Sequence, residues 1–106
     1  MSRSLGATTV TILVDIQGRS GYGLDIINRT GLLPGTVYTT LRRLERRKLV
    51  QGRWEEAEIA EADRRPRRRY YSLTEAGKLA LEDARARLGA MGFELKGPLP
   101  ATGESE

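Results

Sequence analysis

The chain has 106 residues, 18 lysines and arginines against 14 aspartates and glutamates, a formal charge of +4, and neither cysteine nor histidine. That length allows one domain, and the missing residue types exclude disulfides, thiol redox chemistry and histidine- or cysteine-based catalysis, leaving only carboxylates as metal ligands. No enzyme, metal or cofactor is expected; no window holds the ~18 consecutive apolar residues of a membrane span, and the opening stretch lacks the cleavage site of a signal peptide, so the expected location is cytoplasmic with no membrane partner.

Leu5, Val10, Ile12, Leu13, Val14 and Ile16 predict a first helix ending near Gly18, although their β-branched content would also suit a strand. A turn follows over residues 17–21. Ser20 is placed to cap a second helix over residues 22–29, with Leu24, Ile27 and Ile26 as its inward candidates and Thr30-Gly31 as its end. Pro34 stands near the start of a third helix, where its missing N–H costs nothing. Over residues 34–48, Val37, Leu41 and Leu44 fall at i, i+4 and i+7 on one face. The opposite face carries Gly35, Thr39, Arg42, Arg43 and Arg46, flanked by Thr36 and Tyr38.

Residues 49–56, with Val50 and Trp54, predict a strand, and residues 67–73, with Tyr70, Tyr71 and Leu73, predict its hairpin partner. Residues 57–66 are expected to be a long polar loop. Thr74 then caps a last helix. Its stripe of Leu81, Ala84, Leu88 and Met91 would serve an intrachain core or a partner chain equally well. The expected organisation is one folded unit over residues 5–73, a C-terminal helix over 74–96 and a disordered tail over 97–106.

Charge distribution says more than net charge. Residues 42–48 hold five basic side chains and one acidic, and residues 64–69 hold five arginines around Pro66. Between them, residues 55–63 hold five acidic side chains and no basic one. The element order is three helices, a hairpin and a helix. It predicts a mainly α fold with a small β-hairpin: a winged helix-turn-helix with an added C-terminal helix. A helix entering the major groove needs one apolar stripe and one polar, basic face. The third helix has both. Residues near its start reach bases most easily, so Gly35, Thr36, Tyr38 and Thr39 are the candidate readers. Arg42 and Arg43 are placed to bind guanine or phosphate, and Arg46 to meet the backbone. In the hairpin, Arg65, Arg67 and Arg68 are candidate phosphate contacts, although side-chain alternation keeps Arg67 and Arg69 off the face of Arg68. The acidic residues would be repelled by phosphate and are expected to pair with wing arginines or face away.

Two other readings stay open on the residues alone. The acidic stretch would suit a protein-interaction adaptor on the same scaffold, because scaffold does not dictate function. A hydrolase would need a carboxylate pair, and Asp15, Asp25, Asp63 and Asp83 do not form a convincing one.

The Gly21-Tyr22 step, PGTVYTTLRRLERRKLV from Pro34, Trp54-Glu55-Glu56, RRRYYSLTEAG from Arg67, and Leu81 together resemble the PadR family of winged-helix transcriptional regulators. The resemblance spans roughly residues 10–88. It implies a homodimer that binds double-stranded DNA, represses promoters and releases DNA when a small-molecule effector binds. It also implies that the C-terminal helix builds the dimer, with Leu81, Ala84, Leu88 and Met91 as the seam. Three departures stand out. Leu33 replaces the serine usual before Pro-Gly, at a cost of about 1 kcal/mol in lost capping. Lys48 replaces a glycine, at a similar cost of about 1 kcal/mol if the backbone there is left-handed. The C-terminal region is short, interrupted by Gly89 and Gly92, and has Phe93 as its one aromatic residue, which does not favour a flat ligand pocket at the dimer centre.

Overall fold

The computed structural model describes residues 5–19 and 21–92. The elements in chain order are α1 (Ala7–Gly18), β1 (Gly21–Tyr22), α2 (Gly23–Thr30), α3 (Pro34–Arg46), β2 (Val50–Trp54), α4 (Ala57–Ala62), β3 (Arg69–Leu73) and α5 (Glu75–Ala90). Ser20, Phe93 and the tail expected over 97–106 lie outside the described residues.

The β-branched run of α1 is helical because the helix is central. It packs against α2, α3, α5 and β3, so Val10, Ile12, Leu13, Val14 and Ile16 are all buried. Burial on this scale, about 1.5–3 kcal/mol for each large aliphatic side chain, outweighs a propensity deficit of tenths. Asp15 on α1 is also buried and receives a two-pronged contact from Arg29 of α2, at 2.9 Å from Nε and 2.9 Å from Nη2. Arg29 also donates to the Arg19 carbonyl. This bridge fixes α2 on α1, and Asp15 is thereby accounted for structurally.

On α2 the inward residue is Ile26, fully buried, with Ile27 partly so. Leu24, expected to face inward, is 50% exposed; the helix starts at Gly23 rather than 22, and its apolar face is narrower than a regular stripe would make it. Gly31 ends α2 with φ 75°, its N–H donating to the Ile27 carbonyl. That left-handed turn is the sharp corner of a helix-turn-helix. Only Leu32 and Leu33 separate it from α3.

α3 buries Val37, Thr40, Leu41 and Leu44. It ends two residues earlier than expected, in a Schellman turn. The Leu49 N–H donates to the Leu44 carbonyl at 2.9 Å and the Lys48 N–H to Glu45 at 3.0 Å. Lys48 occupies the left-handed position, with φ 62°.

The sheet has three strands in the order β1-β3-β2, all antiparallel. The third strand, β1, pairs Gly21 with Tyr71 and Tyr22 with Tyr70; two residues carry no periodicity from which it could be read. The hairpin strands are shorter than expected, and the connection expected to be a loop contains α4. The sequence AEIAEA is made of strong helix formers around Ile59, and Ala60 is buried beneath the turn. α4 also closes in a Schellman turn, with Arg64 at φ 55° and the Arg65 N–H donating to the Ala60 carbonyl.

α5 starts as expected at Thr74, whose Oγ1 accepts from the Gly77 N–H at 3.0 Å. The same hydroxyl donates to the Lys48 carbonyl at 2.7 Å. Gly77 lies directly on the Leu49 carbonyl, with no room for a Cβ. The start of α5 is thus docked on the end of α3. Two of the four residues expected at a dimer seam are consumed inside the chain: Leu81 is fully buried and Ala84 is 6% exposed. Leu88 is half-buried and Met91 is 67% exposed.

Candidate nucleic-acid interface

The interface begins at α3. Thr39, Arg42, Arg43 and Arg46 are exposed along one side of the helix, with Gly35 at its start. None of these three arginines meets a carboxylate among the described residues. A Cβ on Gly35 would touch nothing within 4 Å, so the start of α3 is open to close approach. Leu33 precedes Pro34 with no side-chain cap. The N–H groups of Gly35 and Thr36 are therefore free for an anion at the positive end of the helix. Thr36 is half-buried and lies with Leu33, Thr39 and Arg43 along a shallow groove.

Tyr38 leaves the helix on the flank facing the hairpin. Its ring lies on Gly23 so closely that a Cβ there would sit 2.7 Å from the phenol oxygen. Glu45, two turns on, shares this flank and accepts from Arg69 of β3 at 2.7 Å. Tyr38, Leu24, Trp54, Arg67 and Arg69 line a cleft between α3 and the hairpin.

The hairpin arginines divide as strand alternation requires. Arg67 and Arg69 stack over the Trp54 ring, with guanidinium carbons 5.9 and 5.1 Å from its centroid. Arg68 turns to the other face and lies 4.2 Å over Tyr22, which meets Tyr70 edge-on. Arg67 donates through Nε to the Glu55 carbonyl at 2.8 Å, which fixes the side chain of a residue that is exposed overall.

Arg65 is placed differently from the phosphate contact expected of it. It grips Glu55 with two hydrogen bonds, 2.7 and 2.9 Å, and lies 3.3 Å from Asp63. Glu55 is buried and also accepts from the Arg68 N–H at 3.1 Å. The Arg65 guanidinium, more than the backbone donor, holds the Glu55 carboxyl down to about 2. The arginine itself is pushed up by the same contact. Glu55 was expected to pair with a wing arginine, and this is the pair. Glu56, Glu58 and Glu61 remain exposed on and beside α4.

Among the described residues no acidic cluster could hold a metal ion, and no helix is long and apolar enough to cross a membrane. Sequence reasoning missed the two residues that set the site's shape. In sequence Glu45 is a lone acid in a basic run, and Arg69 is set apart from Arg68 by alternation but has no visible partner. The signal available was spacing: Glu45 sits on the same helical flank as Tyr38.

Three helices, the third with an unpaired cationic face, followed by a stacked hairpin, define a winged helix-turn-helix. The sequence matches the transcriptional regulator PadR-like family over residues 12–83, and the chain belongs to that family. A PadR-like transcription factor from Bacteroides fragilis is similar at 26% identity and TM-score 0.70, covering 79% of this chain and 82% of its own. A PadR family regulator from Clostridium difficile is 25% identical with TM-score 0.72, covering 82% of this chain and 92% of its own. BpsR of Bordetella bronchiseptica, whose DNA binding is regulated by 6-hydroxynicotinic acid, shares the fold at 24% identity and TM-score 0.67, covering 84% of this chain and 63% of its own. No match is found among curated proteins. The chain is thus a transcriptional regulator by family, and its relatives are not enzymes.

Proposed function

We propose that this protein is a sequence-specific repressor that binds double-stranded DNA as a homodimer. The observation that carries the reading is the face of α3 formed by Thr39, Arg42, Arg43 and Arg46, exposed and without carboxylate partners among the described residues. α3 enters the major groove with Gly35, Thr36 and Thr39 at the base edges; Tyr38 has a weaker claim, because its ring is turned towards the hairpin and seated on Gly23. Arg42 and Arg43 contact base or phosphate, and Arg46 contacts backbone. Arg67 and Arg68, held by their aromatic partners, contact the flanking phosphates. Arg65 has a weaker claim, because binding DNA would require it to leave Glu55.

The dimer seam contracts to Leu88 and Met91. Both line an apolar cavity of about 440 Å³ with Leu5, Val10 and Ala84, between the start of α1 and the end of α5. A second copy covers this apolar surface. The same cavity is large enough for a small-molecule effector, by analogy with the regulation named for BpsR.

Selection from randomised duplexes with purified protein tests the reading. The expected product is an inverted repeat with half-sites about 34 Å apart, one helical turn. Failure to enrich any sequence would remove it. A second reading, a protein-interaction adaptor, is favoured by the exposed Glu56, Glu58 and Glu61 at the wing tip. An adaptor would elute early from heparin at low salt; a DNA binder would be retained.

A further inference from the structure

We infer that Arg69 is a positioning residue that locks the wing to the recognition helix through Glu45 and does not itself contact DNA. The inference rests on the DNA-binding reading above. The Arg69 guanidinium is surrounded on the inner face of the hairpin. Nη2 is 2.7 Å from Glu45 Oε2, and both side chains are under a third exposed. The guanidinium stacks on Trp54 of β2, 5.1 Å from the ring centroid. It fills the place that a side chain at position 52 would take, since a Cβ on Gly52 would lie 2.6–2.8 Å from its Nε, Nη2 and Cζ. One side chain of β3 therefore touches β2 and α3 together.

That junction matters because α3 and β2 are joined in sequence only through the turn at residues 47–49. Among the described residues the Glu45–Arg69 bridge is the one ion pair between α3 and the hairpin. Without it, the shared core still holds the hairpin near α3, but the distance of Arg67 and Arg68 from Arg42 and Arg43 is less tightly fixed. A planar, two-sided group is required for this, and lysine cannot supply it.

The test uses Arg69→Lys and Glu45→Gln in the full chain, with two readouts. Trp54 is the only tryptophan, so its fluorescence anisotropy and acrylamide quenching report the junction in free protein. Both substitutions should lower the anisotropy and raise the quenching. Each should also weaken binding to the selected duplex about tenfold while leaving the salt slope unchanged. Removing the Glu45 charge by simple electrostatics would tighten binding, so the clamp predicts the opposite sign. Arg67→Ala is the control and should lower the salt slope by about one. Unchanged Trp54 mobility overturns the clamp. Looser Trp54 with wild-type affinity overturns its positioning role, as does a salt slope lowered by about one in Arg69→Gln, which removes the charge that Arg69→Lys keeps. If the wild-type protein binds no duplex, the DNA-binding reading fails and the positioning role with it, whereas the Trp54 readout still decides the clamp.

Discussion

Lys48 and Arg64 occupy the same kind of position, the left-handed residue that closes a Schellman turn. A Cβ there costs about 1 kcal/mol relative to glycine. Lys48→Gly is therefore expected to raise the free energy of unfolding by about 1 kcal/mol in urea melts; a loss of stability would show that the lysine side chain contributes something the turn does not. Glu55 carries a different prediction. Its carboxyl titrates at about 2 in the folded protein because Arg65 holds the charged form, and near 4.5 when unfolded. A depressed value means that the stabilisation is complete above the unfolded pKa and is lost as pH falls through the window from 4.5 towards 2. In Glu55→Gln the thermal midpoint should lie below wild type at pH 7, and the gap should close across that window. A gap independent of pH would contradict the pairing.

The elements differ in how much of them could be read beforehand. α3 was clear, because Val37, Leu41 and Leu44 repeat with helical period and Pro34 marks the start. Its cationic side was equally clear, since it is the complement of that stripe. α4 is hard to read because its charge suits a solvated loop, while the alanines and glutamates of AEIAEA are also strong helix formers. β1 is too short to carry a pattern. The stripe on α5 admits two destinations, and only packing separates them: the shared core takes Leu81 and Ala84, leaving Leu88 half-buried and Met91 exposed. The junction of α3 with α5 depends on Gly77, which the sequence places in an ordinary helix start but which bears on the Leu49 carbonyl. Gly77→Ala should cost at least the ~1–3 kcal/mol of overpacking, despite alanine's better helix propensity. An equally stable variant would mean that the two helix ends can part.

For the molecule as a whole, the site depends on rigid placement rather than on the number of positive charges. Ten of the eighteen basic residues lie in the two blocks at 42–48 and 64–69, yet the fold assigns them distinct tasks. Arg65 and Arg69 are engaged by carboxylates within the chain, Arg67 and Arg68 are stacked on aromatic rings, and Arg42, Arg43 and Arg46 remain available on α3. A homodimer built at Leu88 and Met91 would present two such helices to one duplex. If so, Met91→Glu should shift sedimentation towards the monomer and weaken operator binding in parallel. Unaltered sedimentation would place the seam elsewhere.

The recognition role of α3 is tested most directly by measuring the affinity of the Arg42→Ala, Arg43→Ala double variant for the selected duplex by fluorescence anisotropy, with circular dichroism confirming the fold. Both side chains are solvent-facing, so the fold should persist while binding weakens at least ~10- to 100-fold. A folded double variant that binds as tightly as wild type would contradict the assignment of α3 as the helix that meets DNA.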